Sequence, residues 1–316
     1  MNGNPLLSPL RQPGNCLRHP SPDAMPRLEP FHRTLYTAQT MELPQLDAEL
    51  ARRIELAEAQ VGVDCAESLK RSQPQIGAAV EHVAGGFAVY CGANSPITQA
   101  VGLGLDGPVG DVEMDRLEEF YWSRREAVRV ETCPLAHASL IDHFGRRGYR
   151  VTEFSNVMAR QLDAGEAWPA PVRGVTIKRI GSNQIDLWTV TVAQGFAESS
   201  PVPQEMLDVM GMFARGAASE CFLARIDEEI AGGGALALRN GLAGLFGAST
   251  LPAFRGRGVQ TALLQTRLAR AAEAGCDLAV SFAPPGSISQ RNIVRQGFRV
   301  LYTRVKFEKA FAAQRP

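Results

Sequence analysis

Residues 248–264 read Ala-Ser-Thr-Leu-Pro-Ala-Phe-Arg-Gly-Arg-Gly-Val-Gln-Thr-Ala-Leu-Leu and join a strand pattern to a helix pattern. The first N–H groups of a helix have no partner inside it. The macrodipole makes that end positive, so it suits an anion. Gly256 and Gly258 let backbone come close to a ligand. Arg255 and Arg257 add two full positive charges. Such a turn is a cradle for a diphosphate.

Other residue types that carry chemistry are less organised. Cys16, Cys65, Cys91, Cys133, Cys221 and Cys276 are scattered, with no C-x-x-C. They read as single buried thiols of a reducing compartment, which makes the expected location cytoplasmic. His82, His137 and His143 have no metal-ligand spacing, and no H-E-x-x-H occurs, so no metal is expected. Gly102-Leu-Gly-Leu-Asp-Gly107 fits G-x-G-x-x-G. A dinucleotide site needs a helix opening directly from that turn, and Pro108, Gly110 and Asp111 delay it. The chain has 33 basic and 33 acidic residues, hence zero net charge, which excludes a global field for nucleic acid. No run of about 18 apolar residues is present, so no membrane span is expected.

The surrounding elements place the cradle. Val175 to Ile180 alternates as a strand, and Asn183 to Phe196 has helical apolar spacing with Asn183 as its N-cap. Pro203 to Ala214 is a second helix, and Cys221 to Ile226 a strand that ends in a turn at Asp227-Glu-Glu. Ile230–Arg239 and Leu242–Ser249 are two strands joined by Asn240-Gly241, the strongest short hairpin signal. Gly232 to Gly234 mark a bulge or close packing. A turn and long helix run from Leu251 to about Ala274, with Gly275 as cap. The predicted order is β-α-α-β-β-β-α-β-α-β-β, an α/β (α+β) mixed sheet with helices packed on it.

Over residues 174–310 this order, the hairpin, the cradle and the final Gly297-Phe298 resemble the Gcn5-related N-acetyltransferase (GNAT) superfamily. Its pattern (Gln/Arg)-x-x-Gly-x-(Gly/Ala) corresponds to Arg255-Gly-Arg-Gly-Val-Gln260, with Gln260 departing at the last position. The resemblance implies the acyl-CoA N-acyltransferase fold and an acetyl-CoA co-substrate. Backbone at Ala248, Ser249 and Thr250 would then face the pantetheine arm. Arg255, Gly256, Arg257, Gly258, Val259 and Gln260 would hold the pyrophosphate. It further implies direct attack of an amine on the thioester, an oxyanion held by a backbone N–H, and a base that takes the amine proton. The superfamily's usual tyrosine acid falls here at Ile293. Ser287, Ser289 and Asn292 are the polar groups beside that place, and Tyr302 lies just beyond it; Tyr302 and Ser289 are the candidate proton donors, and Asn292 a CoA contact. Glu198, Glu228 and Glu229 lie nearest the expected acceptor side, each reading as a solvated charge, so no base stands out.

Two segments repeat at an offset of 149 residues: Phe144-Gly-Arg-Arg-Gly-Tyr-Arg-Val151 and Ile293-Val-Arg-Gln-Gly-Phe-Arg-Val300. Each follows a β-branched run and precedes an alternating one, so the fold occurs twice in tandem. The N-terminal half carries a predicted helix over Leu43–Val61, strands within Ala78–Tyr90 and Ile97–Leu105, and a helix over Asp115–Arg125. Where the first copy's phosphate loop should lie, the chain has Asp106, Asp111, Glu113 and Asp115 and no arginine. The first copy is therefore degenerate. The expected organisation is a proline-rich disordered tail over 1–30 with Met25 as an alternative start, a degenerate domain over 31–162, a linker over 163–173 and a CoA-binding domain over 174–311. The expected function is transfer of an acetyl group to a primary amine on a small molecule or peptide, without nucleic acid or membrane. The alternative is a non-catalytic acyl-CoA-binding regulatory module.

Overall fold

A computed structural model of the chain describes residues 45–163, 165–197 and 201–311. The expected tail over 1–30, the alternative start at Met25, Cys16 and Glu198 lie outside these residues. The described elements belong to one compact unit that begins at Glu42.

The periodic stretch after Leu43 becomes α1 (Ala48–Ser72), which runs well past the predicted end at Val61. Asp47 caps it by accepting the Leu50 N–H at 2.8 Å. The rest of the N-terminal half forms β1 (Ala79–Val83), β2 (Gly86–Tyr90), β3 (Gln99–Val101), α2 (Asp111–Trp122), β4 (Val128–Thr132), α3 (Ala138–Arg147) and β5 (Arg150–Gln161). The C-terminal half forms β6 (Thr176–Arg179), α4 (Ile185–Phe196), α5 (Gln204–Ala214), β7 (Ser219–Ile226), β8 (Glu229–Arg239), β9 (Leu242–Thr250), α6 (Val259–Glu273), β10 (Leu278–Ala283), α7 (Ile288–Val294) and β11 (Arg299–Lys309). The mixed α/β class and the predicted C-terminal order hold, with two local corrections. Asn183 is inside a short 3-10 turn, Ser182–Gln184, and does not cap α4; Gln184 takes that place without a side-chain bond. The turn and helix predicted from Leu251 are the turn at Pro252–Phe254, the glycine loop and α6, which opens at Val259. The two final strands predicted for the C-terminal half are one long strand, β11.

The missing strand is supplied from elsewhere. All eleven strands form one sheet in the order β1-β2-β3-β4-β11-β5-β10-β9-β8-β7-β6. β11 lies between β4 and β5, antiparallel to both. β5 in turn is antiparallel to β10. Each half therefore lends its last strand to the other. The arrangement is pseudo-symmetric about the β5–β11 seam, with parallel pairs β3–β4 and β9–β10 at matching places on either side. The expected linker over 163–173 lies between β5 and β6, and the strands on either side of it interlock in space.

Helices cover both faces. On one face, α6 and α7 pack Val259, Leu263, Leu268 and Ile293 against Leu236, Leu245 and Ala279. On the other, the end of α1 packs with α4 and α5 through Cys65, Leu69, Trp188, Val192 and Met212. The first half of α1 covers the centre of the sheet, where Ala51 and Ile54 meet Leu242, Leu278, Val280 and Tyr302. The five described cysteines, at 65, 91, 133, 221 and 276, are free and buried. Among the described residues no helix is long and apolar enough to cross a membrane.

Candidate active site

β9 and β10 begin side by side and then part. Their parallel pairing runs from Leu242–Leu278 to Leu245–Ser281 and stops there, yet β9 continues to Thr250. Its other edge stays paired with β8 as far as Gly232–Thr250. Residues 246–250 thus have no strand partner on the side toward β10 and offer a backbone edge there. Ser281 closes the paired part by donating its hydroxyl to the Leu245 carbonyl at 3.1 Å.

A bulge turns β9 away. Gly234 of β8 faces both Gly247 and Ala248, and Gly247 has φ +53°, a conformation glycine adopts without a Cβ penalty. The bulge is clamped from both faces. From α6, the buried Arg267 donates to the carbonyls of Ala235 (2.8 Å) and Phe246 (3.2 Å) and to its own helix at Leu263 (3.1 Å). Burial lowers its guanidinium to about 10. From α4, the fully buried Trp188 donates its indole N–H to Phe222 and Gly234 carbonyls at 3.1 and 3.3 Å. A Cβ on Gly233 would meet Trp188 at 3.0 Å and Val192 at 2.8 Å, and one on Gly234 would meet Arg267 at 3.0 Å, which is why β8 carries small residues here. Sequence patterning registers Trp188 and Arg267 only as an apolar and a charged helix position.

The free edge of β9 leads into the cradle. Gly256 and Gly258 both have positive φ (+76° and +82°), and Arg255, Gly256 and Arg257 are exposed. The first ladder bond of α6 runs from Ala262 N–H to Gly258 C=O at 3.0 Å. The N–H groups of Val259, Gln260 and Thr261 before it have no acceptor within the helix. This array is an anion-binding nest at the positive end of α6. Val172 of the linker packs on Gly258, 2.7 Å from where a Cβ would stand. Arg257 is half-exposed, 3.6 Å from Asp227. Arg255 donates to the Gly195 carbonyl at the end of α4 (3.0 Å), tying the cradle to that helix. Ala248 is half-buried on the bulge. Ser249 is buried, with its hydroxyl on the Val192 carbonyl at 2.8 Å. Thr250 Oγ1 is buried and has no partner among the described groups. An orphaned hydroxyl, a free strand edge and an open nest in series fit an extended ligand with amide groups and a diphosphate.

The residues expected to handle protons are dispersed. Ser287 caps α7 by accepting the Gln290 N–H at 3.1 Å, leaving Ser289 exposed in the first turn and Asn292 half-buried one turn on. Both sit on the helix that follows β10, at the end where the seam opens. Ile293 is buried in the core below them. Tyr302 is elsewhere. It lies on β11, with β5 between it and β10, about 10 Å from the seam at one strand spacing per step. Its hydroxyl donates to Glu55 at 2.8 Å, and Arg304 donates to the same oxygen at 2.7 Å. Burial raises the Tyr302 phenol far above its usual range, with Glu55 adding to the effect. Tyr302 thus serves a buried network and does not reach the opening. Glu228 and Glu229 are exposed at the β7–β8 turn, on the cradle side. The carboxylate that the sequence reading missed is Glu58 of α1. It lines a narrow cleft on the opposite face, over the point where β9 and β10 part, with Leu242, Gly244, Leu245, Phe246, Val280 and Phe282. A signal was present. Glu58 stands four residues after Ile54 and three before Val61, inside the apolar stripe of the helix.

In the N-terminal half, the loop after β3 occupies the position of the cradle, and α2 opens only at Asp111. Asp106, at the place of Arg255, pairs its carboxylate with Arg52 of α1. Gly110 N–H donates to Glu113, so the start of α2 is already served by its own carboxylate.

Residues 187–298 match the profile of the acetyltransferase (GNAT) family. No curated protein matches the chain in sequence. Among solved structures, a GCN5-related N-acetyltransferase from Kribbella flavida superposes with a TM-score of 0.58 at 17% identity, over 82% of this chain and 95% of that one. A tandem GNAT protein from the clavulanic acid biosynthesis pathway gives 0.58 at 13% identity, over 85% and 96%. At such identities the likeness is one of fold, and it extends over both halves.

Proposed function

We propose, from the premise that residues 187–298 belong to the acetyltransferase (GNAT) family, that the C-terminal half transfers an acetyl group from acetyl-CoA to a primary amine. The observation that carries this reading is the free edge of β9 running directly into the α6 nest. Paired by its amides along 246–250, a pantetheine arm would lie in the opened seam. Its pyrophosphate would then meet the N–H groups of Val259 to Thr261 and the charge of Arg257. When bound, acetyl-CoA supplies an activated acyl carbonyl. The chain's part is to orient that carbonyl, to offer an N–H of the β9 edge to the oxyanion, and to keep the bulge rigid through Arg267 and Trp188. Ser289 and Asn292 on α7, which follows the opening end of β10, would be the polar groups to meet the leaving sulfur. The first copy is read as a support without its own CoA site.

A non-catalytic acyl-CoA sensor is the second reading, favoured by the burial of Ile293 where a proton donor is customary. Two measurements separate them. Calorimetry should show acetyl-CoA binding that falls at least tenfold in Arg255→Glu, which puts a carboxylate beside the nest; equal affinity would refute the placement of the cofactor. Thiol release across a panel of primary amines should show turnover. Binding with no turnover on any amine supports the sensor.

A further inference from the structure

We infer that Glu58, on the first helix of the N-terminal half, is the carboxylate that receives the amine proton in the acyl-transfer site of the C-terminal half. The inference rests on the proposed acetyl transfer and adds what that site lacked, a base. It also gives the degenerate copy a role in the chemistry.

The geometry comes first. Glu58 lines the cleft that opens on the α1 face of the sheet, bounded by β9 at Gly244 to Phe246 and by β10 at Val280 and Phe282. These are the residues at which the β9–β10 pairing ends at Leu245 and Ser281. The cradle helix α6 packs on the other face. An acyl group in the seam would therefore be reached from the CoA side by the pantetheine arm and from the α1 side by the acceptor. The cavity measures about 20 Å³, room for one small group such as water or an ammonium head. Its walls are otherwise mainly apolar, with Ile54, Val61 and Phe282 around the carboxylate.

The surroundings then set its charge. Arg239 lines the same cleft but is held by Asp64. Arg304, on β11, is held by Glu55. Among the described residues, Glu58 has no ion pair of its own. Facing it are Arg304 on β11, Glu55 on its own helix and Glu131 on β4, beside Arg239 of β8; Lys306 of β11 is taken up by Glu131 and Glu153. Burial raises the Glu58 carboxyl to about 7, Arg304 lowers it in part, and the two glutamates raise it again. A base that titrates near neutrality suits removal of a proton from an ammonium at physiological pH.

The proton and electron balance closes without another reactant. The Glu58 carboxylate takes one proton from the acceptor ammonium. The freed nitrogen lone pair forms the C–N bond to the acyl carbon, and the C–S bond breaks with its electron pair going to sulfur. The second N–H proton, lost as the amide forms, neutralises the thiolate, and Glu58 returns its own proton to solvent.

The test is Glu58→Gln in the full chain. Acetyl-CoA affinity is measured by calorimetry, and the pH dependence of kcat/KM is followed by thiol release with whichever panel amine the wild type acetylates. The expected result is unchanged acetyl-CoA affinity, a loss of kcat of about 100-fold or more, and disappearance of the limb that rises through about pH 7. Wild-type turnover with a variant that keeps both its rate and that limb overturns the inference and leaves the acetyltransferase reading standing. Acetyl-CoA binding by the wild type with no turnover on any amine overturns both.

Discussion

A carboxylate kept near neutrality inside a fold works against the fold whenever it is ionised. The Glu58 carboxyl is raised from 4.5 to about 7 by burial. A raised folded value means that its contribution to stability is complete below pH 4.5 and is lost as pH rises through about 7. The penalty above that range is about 1–3 kcal/mol. Glu58→Gln removes it while keeping the shape of the side chain. The variant should therefore melt a few degrees above the wild type at pH 8, and the two curves should converge below pH 4.5. Thermal unfolding at those two values checks this without any substrate; a variant that is less stable at pH 8 would show that the ionised carboxylate is well solvated. Stability given up at a reacting group is a common cost of function. The neighbouring Glu55 illustrates the contrast. It is equally part of α1, but one of its oxygens accepts from both Tyr302 and Arg304, so it holds the helix to β11 as an ion pair.

At the scale of elements, some features were legible in the sequence because their signals are local. Asn240-Gly241 forms its hairpin with φ +49° and +72°, Gly148 caps α3, and Gly297 closes the turn after α7, both glycines with positive φ. The loop Arg255 to Gly258 opens α6 with the two positive-φ glycines that an anion nest needs. What could not be read is which strand a strand joins. β5 and β11 each alternate as any half-buried strand does, and alternation fixes faces, not neighbours. Their exchange is a long-range choice, made when both halves are present. It has a consequence. A chain of residues 174–316 would leave one edge of β10 and both edges of β11 unpaired, exposing backbone groups and the apolar residues that Val157 and Met158 cover. That fragment should aggregate or remain unfolded when made alone. Co-expression with residues 42–162, which supply β5 and receive β11, should restore a soluble complex. Circular dichroism and size-exclusion chromatography read the outcome, and a stable, monomeric 174–316 fragment would mean that β5 is dispensable.

For the molecule as a whole, near-symmetry of fold goes with asymmetry of charge. The loop after β3 and the loop after β9 hold matching places on the two sides of the β5–β11 seam, 149 residues apart. In the second copy the place is held by Arg255, and the nest of α6 lies open. In the first it is held by Asp106, locked to Arg52, while Glu113 serves the start of α2. Arg52 beside it keeps the Asp106 carboxyl below its usual range, and the resulting ion pair presents no net positive charge to a diphosphate. The zero net charge of the chain thus conceals one loop built to attract an anion and one built to exclude it. Calorimetric titration with acetyl-CoA should accordingly give one equivalent per chain, not two. Asp106→Ala should change neither stoichiometry nor affinity. Its partner is exposed and the pair is screened, so the melting temperature should also hardly move. A second equivalent in the wild type would show that the first loop binds CoA despite its carboxylates. A second equivalent appearing only in Asp106→Ala would show that this single charge excludes the ligand from an otherwise competent cradle. The expected result assigns the exclusion to the whole loop: glycines remain at 102, 104 and 107, but the helix behind them starts late, at Asp111, and carries Asp111 and Glu113 in its first turn, with Glu113 on the Gly110 N–H.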